Sequence, residues 1–147
     1  MTTAWLGIDM AKDSFVAVLI ATDEVVLGTY PNTTTGFAAL AKRVRAALTT
    51  APTPSVHLLV EPTGGYEASL VAFAYEHEWL VTLPNPRLVR AWATGTGQRT
   101  KTDDQDAWML ARFGAARQPA PQPPVAASVQ ELDNLLKRRR DLEQMLQ

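Results

Sequence analysis

The run Ser55-Val56-His57-Leu58-Leu59-Val60-Glu61 constrains the fold most. Between Ser55 and the last residue it is apolar apart from one histidine, as expected of a strand buried on both faces in the interior of a helix-covered sheet. A carboxylate then closes it. The turn Pro62-Thr63-Gly64-Gly65-Tyr66 follows, leading into a helix with Leu70, Phe73 and Ala74 and a return strand over Trp79–Leu83. The central strand thus belongs to a β-turn-α-β unit.

Three further strands precede it. Ala4–Asp9 and Ser14–Ile20 are short and β-prone, and Val25–Tyr30 completes an antiparallel meander that stops at Pro31. A helix opening at Thr35-Gly36 carries Phe37, Leu40, Val44 and Leu48 on one face, with Lys42, Arg43 and Arg45 on the other, and Pro52-Thr53-Pro54 ends it. After the return strand, Pro84-Asn85-Pro86 starts a short helix with Leu88, Val89 and Trp92 that is expected to dissolve over Ala93–Gly97. Thr102 and Gln105 match a capping box, which places Asp103 at the first position of a helix through Ala107, Leu110, Ala111 and Phe113.

The organisation expected is one domain over residues 1–117, a Pro-rich linker over 118–127, and the start of a coiled-coil-like helix over 128–147. Ser128 would cap that helix, and Leu132, Leu135, Leu142 and Leu146 form its apolar stripe. The stripe has no partner within so short a chain and the helix meets no C-cap before Gln147. The expectation is therefore self-association through this helix and a chain that continues further.

Composition narrows the chemistry. With no Cys, disulfide scaffolds, thiolate metal sites and Cys nucleophiles are excluded. No apolar run approaches the ~20 residues that span a bilayer, and the N-terminus lacks a secretory pattern, so a soluble cytoplasmic protein is expected and no membrane partner. The formal charge of −1 means that any nucleic-acid contact must rest on local patches. His57 sits among core residues, His77 reads as exposed, and neither has ligand spacing.

Carboxylates carry what chemistry remains. Three strands, a helix, a buried strand and then alternating helix and strand is the element order of an α/β ribonuclease-H-like fold. In that fold a mixed sheet with flanking helices sets the first and fourth strands side by side. Asp9 and Glu61 would then project from adjacent strand tips, and Asp103 and Asp106, three apart, would share one face of the later helix. Two like charges ~4 Å apart cost about 4 kcal/mol at an effective dielectric of 20, so such a group takes up protons or binds cations. Oxygen-only ligands suit Mg²⁺ or Mn²⁺, and the reaction class that follows is phosphoryl transfer on nucleic acid.

Three blocks carry a family resemblance: Gly7-Ile8-Asp9-Met10-Ala11-Lys12-Asp13, Glu61-Pro62-Thr63-Gly64-Gly65-Tyr66-Glu67 and Lys101-Thr102-Asp103-Asp104-Gln105-Asp106-Ala107. In this order and spacing they resemble the signature blocks of the bacterial DEDD transposases of the IS110 insertion-sequence family, which includes the Piv-type DNA invertases. The resemblance covers residues 4–117 and continues weakly into the last helix. It implies a domain like the Holliday-junction resolvase RuvC, with Asp9, Glu61, Asp103 and Asp106 as the catalytic, metal-binding tetrad. It also implies a second, C-terminal domain with a catalytic serine, DNA as substrate, and a structured guide RNA in the full-length enzyme. No residue of this chain takes the serine's role.

Each assignment has a plainer alternative. Asp9 could be a solvated strand end, Glu61 a turn cap, and the acids of 103–106 a response to the helix dipole. Asp104, about 100° around the helix from Asp103, is expected to be the solvated one. Between Trp79 and Thr102 there are four cations and, after Trp79, no acid: Arg87, Arg90, Arg99 and Lys101 could form a phosphate track, or merely a basic helix face. Lys12 and the run Lys137–Arg140 divide in the same way. The functional reading is a metal-dependent catalytic domain of a DNA transposase or recombinase. The competing readings are a self-sufficient junction resolvase and a non-catalytic nucleic-acid-binding and dimerisation module. An actin-like ATPase would need better phosphate loops than Met10-Ala11-Lys12 and a second half.

Overall fold

The structure is a computed structural model and describes residues 2–96, 105–124, 137–141 and 144–145. Its elements run β1 (Thr3–Met10), β2 (Ser14–Ile20), β3 (Glu24–Pro31), α1 (Thr34–Ala47), β4 (Ser55–Val60), α2 (Ala68–Glu76), β5 (Leu80–Thr82), α3 (Pro86–Thr96) and α4 (Gln105–Arg117). The sheet order is β3-β2-β1-β4-β5. β1 and β2, and β2 and β3, are antiparallel, whereas β1 runs parallel to β4 and β4 to β5. This is an α/β fold of the ribonuclease-H-like type, with β1 and β4 adjacent in the middle of the sheet as their apolar sequences require.

Alternation along the strands divides the core. On one face Leu6, Ile8, Phe15, Leu19, Leu58 and Val60 pack with Phe37, Leu40 and Val44 of α1 and Leu70 and Ala74 of α2. Trp5, Val18 and Leu59 point the other way, onto Val89 of α3 and Ala107, Leu110, Ala111 and Phe113 of α4. The α1 N-terminus is capped by the Thr33 hydroxyl, which accepts from Gly36 N at 3.1 Å.

α4 lies against β1 with almost no intervening volume. A Cβ on Gly7 would collide with the Ala107 carbonyl oxygen and stand 2.6 Å from Ala111 N. Small residues at 107 and 111 on the helix and glycine on the strand let the two backbones meet, which fixes where the start of α4 sits over the sheet.

One element departs from the sequence expectation. α3 does not dissolve at Ala93 but continues to Thr96, carrying Gly95 within it. Part of the Pro-rich stretch is tied down: Gln122 N donates to Val81 O at 2.8 Å, Thr82 Oγ1 to Ala120 O at 3.2 Å, and the Tyr75 hydroxyl to Gln122 O at 3.0 Å. Residues 137–141 are helical. Ser128 and the leucines 132, 135, 142 and 146 lie outside the described residues. No helix among the described residues is long and apolar enough to cross a membrane.

Candidate active site

Asp9 and Glu61 come together through register. The parallel β1–β4 ladder ends with Ile8 opposite Val60, so the residue after each is a carboxylate at the same end of two adjacent strands. By alternation both fall on the face of the sheet that α4 covers, the face of Trp5, Gly7 and Leu59. Asp106 stands in the first turn of α4, immediately before the Ala107 that packs on Gly7. Three stretches far apart in sequence thus deliver a carboxylate each to one corner of the molecule.

Their charges act on one another. Burial raises Asp9 above its ordinary value of 3.8, and the negative charge of Asp106 raises it further. Glu61, ordinarily near 4.5, is also raised: burial contributes most, Arg90 opposes it, and Asp106 and Asp9 add to it. Asp9 and Glu61 are half-buried and Asp106 is exposed. Among the described residues neither Asp9 nor Glu61 is relieved by a hydrogen bond or a close ion pair; the ion pair present, Arg112 with Glu24 at 3.0 Å, lies elsewhere.

The donor set is all carboxylate oxygen under mutual repulsion, which is chemistry that a hard divalent cation relieves. As placed, no group of three or more His, Asp or Glu among the described residues is drawn close enough to hold a metal ion. Asp103 lies outside the described residues, as do Asp104 and its predicted solvation.

The expected basic track is described in part. Arg87 and Arg90 are exposed on α3, and Arg90 is the cation whose field reaches Glu61. Arg99 and Lys101 lie outside the described residues. Lys12 is exposed in the β1–β2 turn, where its carbonyl accepts from Asn32 Nδ2 at 3.1 Å. His57 is buried, stacked on Trp5 and 2.7 Å from the Thr82 hydroxyl; burial lowers its pKa, consistent with a neutral core histidine.

Two bracing residues escaped the sequence reading. Glu67 is buried, and its Oε2 accepts from Thr63 Oγ1 at 2.6 Å, Gly65 N at 3.2 Å and Thr63 N at 3.3 Å. It folds the turn after Glu61 onto itself, with Gly64 and Gly65 at positive φ. Asn32 donates from one amide to both Lys12 O and Tyr66 O, joining the turns that follow Asp9 and Glu61. An acid just ahead of a helix after a Gly-Gly turn was the available signal for Glu67; Asn32 offered none. Glu67→Ala leaves three donors without their acceptor, and chemical denaturation is expected to show a loss of about 2–3 kcal/mol.

A second expected outcome concerns pH. For a carboxylate raised in the folded state, the stabilisation is fully present below its unfolded value and is lost as pH rises through the raised one. In cation-free buffer Asp9→Asn should therefore melt higher than the parent at pH 7, with the gap closing towards pH 3. A variant that melts lower at neutral pH would mean that the Asp9 charge is not under repulsion.

The sequence matches the family model of the IS110-type DEDD transposases, described as Transposase, over residues 6–147. It is 37% identical over 139 residues to the pilin gene-inverting proteins of Moraxella bovis and of Moraxella lacunata. The match takes in 95% of this chain and 42% of either relative, so the chain spans less than half the length of these curated relatives.

Proposed function

The chain belongs to the IS110 family of DEDD transposases, and from that premise we propose that it is the metal-dependent catalytic domain of a DNA recombinase. The reaction is breakage and transfer of phosphodiester bonds as an insertion sequence moves, in the cytoplasm. The observation that carries this reading is the meeting of Asp9, Glu61 and Asp106 at one end of the sheet, with Asp9 and Glu61 both raised by burial and by neighbouring carboxylates. The relatives' name supports it, since inverting a gene is a rearrangement of DNA.

In the working enzyme Asp9, Glu61 and Asp106, joined by Asp103, would hold Mg²⁺ or Mn²⁺. When bound, such an ion polarises a phosphoryl oxygen and favours the attacking oxygen's deprotonated form. The chain's own contribution is positional. The β1–β4 register sets Asp9 and Glu61 side by side, α4 on Gly7 holds Asp106 over them, and Glu67 and Asn32 stiffen the flanking turns. Arg90 near Glu61, with Arg87, Lys12, Arg99 and Lys101, is assigned to DNA phosphates. The domain boundaries proposed are those expected from sequence: 1–117, a linker over 118–127 and a helix from 128 through which copies associate. The resemblance assigns the nucleophilic serine and the selection of DNA by structured RNA to the longer protein.

Strand cleavage tests the proposal. The chain, extended to the length of its relatives and given supercoiled DNA carrying its element ends, should cut in Mg²⁺ or Mn²⁺ and stop when EDTA is added. Cutting undiminished in EDTA contradicts the metal-dependent reading. Cutting of branched DNA by these 147 residues alone favours a self-sufficient resolvase instead.

A further inference from the structure

A second feature adjoins the carboxylates without belonging to them. The turn of Thr63, Gly64, Gly65 and Tyr66 begins two residues after Glu61 and forms one wall of an open cleft of about 620 Å³. The opposite wall is the helical segment over 137–141, which contributes Lys137, Arg138 and Arg140. One acid, Asp141, also lines the cleft. The nearby Glu67 carboxylate is buried and taken up by the donors of Thr63 and Gly65. Among the residues that line the cleft the charge balance is therefore positive.

The turn itself is shaped for close approach. Gly64 has φ +85° and a Cβ built there would meet nothing within 4 Å, so the backbone is bare on that side. Tyr66 is held through its carbonyl by Asn32 at 3.1 Å, yet its side chain is 48% exposed. An exposed aromatic side chain with a fixed backbone, lining the same cleft as three cations, offers a stacking surface and phosphate partners together.

We propose that this cleft binds a segment of single-stranded DNA, with phosphates on Lys137, Arg138 and Arg140 and an unpaired base on the ring of Tyr66. An unpaired base is required because in a duplex both faces of each base are already stacked. The location gives the strand a role: DNA opened beside the carboxylates would have one strand led away along the Thr63–Tyr66 turn. The inference rests on the DNA-recombinase reading above and adds a binding subsite outside the carboxylate cluster.

Fluorescence anisotropy on the 147-residue chain tests it, with one labelled sequence offered as single-stranded DNA, as duplex DNA and as RNA. Single-stranded DNA should bind tightest. The triple change Lys137→Glu, Arg138→Glu and Arg140→Glu should weaken it by at least about 10-fold and flatten its salt dependence. Tyr66→Ala should weaken single-stranded DNA about 10-fold with little effect on duplex, and Tyr66→Phe should restore binding. Unchanged affinity in both the triple variant and Tyr66→Ala overturns the proposal, as does tighter binding of duplex or RNA. If cleavage of DNA by the longer protein persists in Mg²⁺ while these cleft variants bind normally, the cleft assignment falls and the recombinase reading stands. If the cleft variants lose binding but no cleavage is seen, the reverse holds.

Discussion

Gly7→Val is expected to cost about 3 kcal/mol or more, the upper range for forcing volume into a packed contact, and to lower the melting temperature by roughly 10 °C. The reason is specific to this position. A Cβ there meets backbone on α4, the Ala107 carbonyl oxygen and Ala111 N, and neither can rotate away as a side chain would. The helix must lift or tilt. Since Asp106 precedes Ala107, the same change should separate it from Asp9 and shrink the effect of Asp9→Asn on melting at neutral pH. A control lies in Gly95, in α3 with nothing within 4 Å of a built Cβ and no positive φ. Gly95→Ala should be stabilising by up to about 1 kcal/mol. Thermal unfolding followed by circular dichroism reads both. A Gly7→Val variant that melts like the parent would contradict the close packing of β1 on α4.

Asp106→Asn should behave in the opposite manner, harmless to the fold and severe for the chemistry. The side chain is exposed, so unfolding free energy should stay within about 0.5 kcal/mol of the parent. In the longer protein, Mg²⁺-supported strand cleavage should fall by at least about 10²-fold, the scale of removing one electrostatic partner from a catalytic centre. The amide keeps the shape of the acid but loses its charge and replaces one accepting oxygen with a donating NH₂, so the loss reports removal of an anionic oxygen ligand with the side-chain volume unchanged. Single-turnover cleavage at saturating DNA separates this from weaker substrate binding. Retention of most of the parental rate would remove Asp106 from the proposed set.

Much of this arrangement was legible in the residues. A nearly continuous apolar strand is expected inside a sheet, and a meander followed by a β-turn-α-β unit leaves few ways to place it beside β1. Carboxylates at the two strand ends then fall in register without further assumption. What the residues did not disclose were interactions made by backbone atoms. Gln122 N on Val81 O pins a stretch whose prolines suggest an extended linker, because a main-chain hydrogen bond leaves no mark in side-chain pattern. In the sequence Gly7 is indistinguishable from any other strand glycine, because what demands it is the backbone of α4 at Ala107 and Ala111. The extension of α3 through Gly95 has a simpler origin, since an isolated glycine lowers helix propensity by only about 1 kcal/mol, too little by itself to end a helix. Burial of Glu67 was hidden by its position, for an acid ahead of a helix is equally at home in solvent.

The central claim is that Asp9, Glu61 and Asp106 form one cation-binding group. Titrating the metal-free chain with Mn²⁺ while following the free ion by electron paramagnetic resonance tests it most directly. The account predicts saturable binding by the parent chain, weakened at least about 10-fold in each of Asp9→Asn, Glu61→Gln and Asp106→Asn. Binding of equal strength in the parent and all three variants, or no binding by the parent, would contradict it.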